Sequence, residues 1–207
     1  NVVLLVARNG KTVLHQAIGW RNKETRLPME PDNLLRMASN TKAAVATGIL
    51  ILAEEKKPDL EDSIGLHLPA FDNDKYQSIT LRHLLSHTSG LRIKTLFLGP
   101  LMEPSDEHPD APSLQLEINR FASIGPEVQP GTSYSYNNAG FNTLGAVIEV
   151  VSGQLLDEFL SERIYQPLGM KDTSHRPPAD QVDRMSTVYQ REDGEWSVRF
   201  KQGTEMR

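Results

Sequence analysis

Between Leu34 and Leu52 the chain reads LLRMASNTKAAVATGILIL, and this stretch restricts the fold more than any other. Thr41 to Leu52 is an almost unbroken apolar run, long enough for a helix that must bury a face in a core. Ser39 and Asn40 are residue types that open helices. Lys42 follows Ser39 by three positions, just under one helical turn, so the hydroxyl and the amine lie on one face within reach of each other. A serine hydroxyl is a poor nucleophile at neutral pH and needs a base beside it. A lysine is such a base when burial and neighbours lower its pKa. The helix N-terminus adds N–H groups and positive potential, which suit a developing oxyanion. A Ser-x-x-Lys pair alone arises by chance about once in a chain of this size, so a plain capping serine is the competing reading.

Composition bounds the rest. The 207 residues suit one large domain or a compact two-part domain, and 38% hydrophobic against 24% charged residues permits a packed core. There is no cysteine, which excludes disulfides and thiolate metal sites. A net charge of −5 without a basic block argues against a general nucleic-acid surface. The longest apolar run, Ala43 to Ala53, is too short to span a bilayer. The chain opens directly on a strand-like segment without a signal-peptide pattern, which leaves location open.

Val2 to Ala7 is a β-type run, and Asn9-Gly10 turns it into a second strand over Thr12 to Trp20. The near-continuous apolar first strand predicts a sheet covered on one or both faces. Arg21 to Asp32 reads as a loop. After the Ser39 helix, Leu60 to Phe71 has the spacing of a packed loop with a short helix, and Thr80 caps a short helix to Ser86. Lys94 to Pro112, with four prolines, predicts an irregular loop that shapes specificity. Helices are expected over Ser113 to Ser123, Ala139 to Val151 and Gln154 to Ile164, with a break at Ser152-Gly153. Thr187 to Gln190 and Trp196 to Phe200 flank Asp193-Gly194, a second hairpin signal.

A second cluster is Pro130 to Gly140, PGTSYSYNNAG, where Tyr136 and Asn138 form a Tyr-x-Asn pair before an apolar helix. A tyrosine near a cationic lysine can have its pKa lowered and exchange protons with the serine or a leaving group. An asparagine amide offers a donor and an acceptor to a substrate amide or to the lysine. The alternative is that Tyr134 and Tyr136 pack as core aromatics and Asn138 caps the following helix.

Together the two clusters resemble the serine β-lactamase and DD-peptidase superfamily. Ser39-x-x-Lys42 resembles its first motif, and Tyr136-Asn137-Asn138 the second motif of its class C branch, which includes class C-like carboxylesterases. LRHLLSHTSGL at Leu81 to Leu91 and PGTSYSYNNAGFNTLG at Pro130 to Gly145 also look like this branch. The resemblance implies an α/β (α+β) fold, with an antiparallel sheet fed by both chain ends, flanking helices and a helical subdomain, over a single domain spanning residues 1–207. It implies that Ser39 is the acylated nucleophile, that Lys42 and Tyr136 share the base and acid roles, and that Asn138 binds the substrate's acyl amide or positions Lys42. The Ser39 N–H would supply half of the oxyanion hole. The implied substrate is a small ester, a D-amino-acid peptide or a β-lactam, with no cofactor and no metal, in a periplasmic or secreted bacterial protein.

The family's third motif, Lys-Thr-Gly or a His/Lys-x-Gly variant, is not evident. Lys201-Gln202-Gly203 has the Lys-x-Gly form but follows Asn138 too closely and lacks the hydroxyl residue, so it reads as a surface turn. The expectation is therefore an N-terminal part of a longer domain, with the remainder on a second chain or absent, and inactive by itself. A non-catalytic ligand-binding or sensory relative is the second reading. His83 and His87, four residues apart, suggest a metal pair, but no third ligand stands out and a packing or hydrogen-bonding role is favoured. No Gly-x-Ser-x-Gly elbow surrounds any serine. Asp59, Glu61 and Asp62 read as a solvated acidic face.

Overall fold

Two turns of the same chemistry shape the strand-bearing part of the chain. In the computed structural model, which describes residues 1–91, 104–107, 109, 113–120, 122, 124–175 and 177–200, Asn9 and Gly10 both have positive φ, +50° and +71°. Asp193 and Gly194 repeat this at +51° and +88°. Positive φ at both central residues marks the two-residue turn whose twist matches paired strands. The first turn joins β1 (Val2–Arg8) to β2 (Lys11–Ile18), and the second joins β5 (Val188–Glu192) to β6 (Glu195–Phe200). Both ladders are antiparallel, each with one irregularity, at Val6/Ala7 and at Val188/Tyr189.

The expected strand over Thr12 to Trp20 is broken at Gly19, whose φ of +99° leaves the extended region. The Trp20 N–H turns to the Asn1 carboxamide oxygen at 3.1 Å, and a Cβ on Gly19 would meet that oxygen at 2.6 Å. Pairing then restarts as β3 (Trp20–Asn22) with β4 (Leu27–Pro28). The described strands thus form three two-stranded antiparallel ladders rather than one continuous sheet. The prediction of a covered sheet also differs from what is found. Among the described residues Val2, Leu4, Leu5, Val6, Val13 and Ile18 are exposed, while Val3, Leu14 and Ala17 are half-buried.

The chain divides into two compact units, one of which unites Asn1–Ala38 with residues 172–200 among the described ones. Within it the two ends are tied by specific bonds. The Leu34 N–H donates to the Arg184 carbonyl, the Ser186 N–H to the Leu34 carbonyl and the Thr187 N–H to the Arg21 carbonyl, at 2.9, 2.9 and 2.8 Å. The Arg184 guanidinium donates to the Asp32 carbonyl at 3.0 Å and to the Asp172 carboxylate at 2.8 Å. The Lys23 ammonium lies 5.6 Å from the ring centroids of both Tyr189 and Trp196.

The second unit, Ser39–Lys171, is helical. Its elements are α1 (Thr41–Glu54), α2 (Leu81–Leu85), α3 (Leu114–Asn119), α4 (Asn138–Ser152) and α5 (Leu156–Leu160), the last running into a π-helical turn at Ser161–Tyr165. α1, α2, α3 and α5 all pack on α4. The apolar run of α1 is in the core through Val45, Ile49 and Leu52, but α4 is the hub, buried continuously from Phe141's neighbours through Ile148 except at Asn142. Gly153 ends α4 in the left-handed conformation at φ +72°, the break that Ser152-Gly153 predicts.

Leu60 to Phe71 is a packed loop as expected, with 3₁₀ turns at Ile64–Leu66 and Pro69–Phe71 that bury Ile64, Leu68 and Phe71. The acidic cluster does more than face solvent. Asp62 accepts the Asp59 N–H at 2.8 Å and pairs with His67 at 3.0 Å, Asp59 accepts the Glu61 N–H at 2.9 Å, and Glu61 pairs with Arg82. Most of the Lys94–Pro112 loop and all of Lys201-Gln202-Gly203 lie outside the described residues.

Helix spacing in this core depends on Gly48. A Cβ there would lie 2.9 Å from Ile148 Cδ1, 3.2 Å from Phe159 Cε1 and 3.3 Å from Leu160 Cδ2. Gly48→Val should cost about 1–3 kcal/mol by overpacking. Thermal unfolding followed by circular dichroism should then show a midpoint lower by roughly 2–4 °C per kcal/mol; an unchanged midpoint would contradict this approach of α1 to α4 and α5. Glu149 gives a pH test. Burial raises its pKa, although its carboxylate accepts the Leu156 N–H at 3.1 Å. The native state therefore holds a proton that the unfolded chain has already lost, so stability falls as pH rises through the raised value. Glu149→Gln keeps an acceptor without the charge. It should be more stable than the wild type in urea at pH 7, with the advantage gone near pH 4.

Candidate active site

Ser39 sits on a 3₁₀ turn, Ala38–Asn40, at the head of α1. Ala38 just before it has φ +44°, a conformation that a non-glycine residue adopts at a cost of about 1–3 kcal/mol. Neither Ser39 nor Asn40 caps the helix through its side chain. The Ser39 hydroxyl instead accepts two hydrogen bonds, from the Lys42 ammonium at 3.4 Å and from the Tyr136 hydroxyl at 2.7 Å. The first follows from helical spacing; the second spans 97 residues of sequence. The competing reading of Ser39 as a simple cap is therefore not what the chain adopts.

Tyr136 is exposed, as is Tyr134, so neither is a core aromatic. The Lys42 ammonium lies over the Tyr136 ring, 4.8 Å from its centroid, and 5.8 Å from that of Phe141. The Tyr136 pKa is held below the ordinary phenol value, first by the Lys42 hydrogen bond and then by that of Ser39. An ionised phenol reverses the direction of the short bond and takes its proton from the serine. The arrangement can thus draw a proton from Ser39 and return it to a departing group nearby.

Asn138 is the first residue of α4, and its side chain is exposed on the same segment as Tyr136. The cap of α4 is its neighbour. Asn137 Oδ1 accepts the Gly140 N–H at 3.2 Å, and its Nδ2 donates to the Leu91 carbonyl. Asn138 is thereby freed from the capping role that the sequence also allowed.

The segment that carries Tyr136 is held by a set of backbone bonds between two distant stretches. The Glu127 N–H donates to Gly90, the Gly131 N–H to Thr88 and the Ser135 N–H to His87, at 3.0, 2.8 and 2.8 Å. The Asn137 N–H donates to His87 Nδ1 at 3.1 Å. The sequence singles out Leu81 to Leu91 without assigning it this role, because the pairing is long-range and leaves no periodic signal. His83 is occupied elsewhere. Its Nδ1 accepts the Thr80 N–H at 3.2 Å while its own N–H donates to the Thr80 hydroxyl at 3.4 Å, a reciprocal cap on α2. Both histidines thus pack and hydrogen-bond, and among the described residues no group of three or more His, Asp or Glu side chains gathers as a metal site.

The chain is built on helices and short antiparallel ladders in the β-lactamase/transpeptidase-like fold, with Ser39, Lys42 and Tyr136 brought together. The sequence profile described as beta-lactamase matches residues 1–206, and the chain belongs to that family. It is similar to penicillin-binding protein 4* of Bacillus subtilis (strain 168), 28% identical over 193 residues that are 91% of this chain and 42% of that protein. It is similar in structure to EstCE1, a hydrolase with promiscuous acyltransferase activity (27% identity, TM-score 0.78, covering 98% of this chain and 54% of that one). It also resembles the D-amino acid amidase of Ochrobactrum anthropi SV3 (30% identity, TM-score 0.74, 92% and 52%). The chain therefore spans about two-fifths of the Bacillus relative and about half of each structure. No single helix among the described residues is long and apolar enough to cross a membrane.

Gly90 tests the pairing that builds the site. It has φ +78°, and a Cβ would lie 2.1 Å from the Val128 carbonyl oxygen, which is backbone and cannot step aside. Gly90→Ala combines positive-φ strain with that collision and should cost about 3 kcal/mol or more. Unfolding in urea should show the loss together with a weaker Tyr136–Ser39 contact; a fully stable variant would mean that the two stretches do not pair this way.

Proposed function

We propose that this chain carries the acylation centre of a serine hydrolase. Ser39 is the nucleophile, Lys42 and Tyr136 are the proton-transfer pair, and Asn138 is the contact for the substrate's acyl amide. The observation that carries the reading is the convergence of Lys42 and Tyr136, from elements far apart in sequence, on the one hydroxyl of Ser39.

In the proposed step the Ser39 proton passes to Tyr136 or Lys42 as Oγ bonds to the substrate's carbonyl carbon. The carbonyl electron pair moves onto oxygen, where the Ser39 N–H at the positive end of α1 is a candidate donor. The intermediate collapses by breaking the bond to the leaving alkoxide or amine, which takes the proton back from the same pair. Water then hydrolyses the ester on Ser39 and restores the hydroxyl. The Tyr136 phenol, lowered in pKa beside Lys42, suits both directions of transfer.

For the substrate, an ester, a D-amino-acid amide or peptide, and a β-lactam all present an acyl carbon to such a serine. The similarity to EstCE1 and to a D-amino acid amidase supports ester or amide hydrolysis over a dedicated antibiotic-degrading role. The similarity to a penicillin-binding protein of Bacillus is in keeping with a bacterial protein that works outside the cytoplasm. Because the chain spans about half of the solved structures it resembles, the activity of the whole protein is part of this proposal.

Intact-mass and peptide mapping of the full-length protein after incubation with benzylpenicillin, and separately with p-nitrophenyl acetate, should find an acyl adduct on the Ser39 peptide. Ser39→Ala should abolish it, and Lys42→Ala and Tyr136→Phe should each slow its formation by about 10²-fold or more. If penicillin survives intact, the ester is not hydrolysed and no adduct forms, the chain is a ligand-binding relative and the proposal fails.

A further inference from the structure

His87 touches the residues on both sides of Tyr136. Its carbonyl accepts the Ser135 N–H at 2.8 Å, and its ring Nδ1 accepts the Asn137 N–H at 3.1 Å. Between these two bonds the imidazole lies against Tyr136 itself, with ring centroids 4.7 Å apart and planes tilted by 36°. Phe141 lies at 5.0 Å, tilted by 40°, and Tyr134 meets the ring edge-on at 5.7 Å. The His87 backbone is itself constrained, with φ +57° and its N–H bonded to the Leu84 carbonyl at 3.2 Å.

We propose that His87 is the positioning residue of the site: its neutral imidazole brackets Tyr136 and holds the phenol against Ser39, and protonation of the ring releases it. The inference rests on the proposed roles of Ser39 and Tyr136 but is testable without turnover.

The chemistry follows from the acceptor role of Nδ1. While Nδ1 receives the Asn137 N–H, the ring proton must be on Nε2. Adding a proton to Nδ1 would set one N–H against another and break that bond. It would also put a second positive charge near Lys42. The titratable groups facing the ring are Lys42 from α1 and Tyr134 and Tyr136 from the 126–137 stretch, while α4 contributes the apolar Phe141. Burial first, and the Lys42 charge second, hold the His87 pKa below its ordinary value. The ring is therefore neutral at ordinary pH. A lowered folded-state value means that the unfolded chain binds the proton first, so the bracket is intact above the unfolded value and is lost as pH falls through the folded one. Serine acylation should carry an acid limb set by His87.

The test uses the full-length protein and His87→Asn. Asparagine tolerates positive φ and offers an oxygen to the Asn137 N–H, but it has no ring to lie on Tyr136. Two readouts are taken. The first is the phenol titration of Tyr136, from ultraviolet difference spectra against Tyr136→Phe. The second is the pH profile of p-nitrophenol release from p-nitrophenyl acetate. In the variant the Tyr136 titration should move up toward that of free tyrosine, the acid limb should vanish, and acylation should fall about 10²-fold, in kcat more than in KM. An unchanged Tyr136 titration together with an unchanged acid limb overturns the proposal. If His87→Asn does not fold, nuclear magnetic resonance titration of the wild type decides. His87 and Tyr136 signals that shift at one common pH support the bracket, and independent shifts overturn it. If Ser39 never acylates, the serine hydrolase reading fails, and the Tyr136 titration still decides the role of His87.

Discussion

One buried amide ties together the stretches that carry the candidate site. Asn137 is sealed from solvent and uses its backbone and side chain in three directions. It donates its N–H to the His87 ring, donates Nδ2 to the Leu91 carbonyl and accepts the Gly140 N–H. Removing any one partner would leave a desolvated polar group, at about 1–3 kcal/mol each. The amide therefore joins the 87–91 turn to the start of α4. Since α4 is the helix on which the other four pack, its N-terminal register is transmitted to the whole core. Tyr136, the preceding residue, inherits a fixed position from a bond that it does not itself make.

This separates what was legible in the sequence from what was not. Ser39 and Lys42 are neighbours by helical spacing, so their proximity could be read directly, and the bond at 3.4 Å is the outcome. Asn9-Gly10 and Asp193-Gly194 encode their turns in two residues each, and both hairpins formed there. Tyr136 reached Ser39 across most of the unit, and nothing local to either residue announces that meeting; a resemblance between motifs suggested it. Asn137 and Asn138 are chemically identical candidates for a cap. Only the backbone decides between them, because Asn137 is extended at φ −141° and ψ 118° while Asn138 already has helical bonds. For His87 the sequence favours a packing or hydrogen-bonding role. It has one, but what it packs against is the phenol, and that depends on a turn formed 50 residues away.

The strands show the opposite limit. Apolar composition in β1 predicts coverage, yet among the described residues most of its apolar side chains are exposed, with Val3 half-buried. Composition states what a strand would gain from burial, about 25 cal/mol for each Å² of apolar surface, but it does not supply the partner. The interruption at Gly19 was equally hidden. It depends on the Asn1 carboxamide entering where a side chain would otherwise stand, and a lone glycine within a strand pattern is consistent with several outcomes.

Backbone strain is found beside the candidate site as well as elsewhere, at Arg26 and Lys56 for instance. Two of the non-glycine residues with positive φ are Ala38, which precedes Ser39, and His87, which flanks Tyr136. Asn9 and Asp193, by contrast, sit in hairpin turns that favour that conformation. Neither Ala38 nor His87 has that excuse, since alanine has no side chain to bond its own backbone and histidine spends its Nδ1 on Asn137. A strained residue persists only where its surroundings over-determine it. At His87 the determinants are visible: the bonds to Leu84, Ser135 and Asn137, and three aromatic rings. On the proposed reading, the stability given up there holds the Tyr136 hydroxyl against Ser39 at the head of α1, and a phenol held in advance would need no reorganisation when the proton moves.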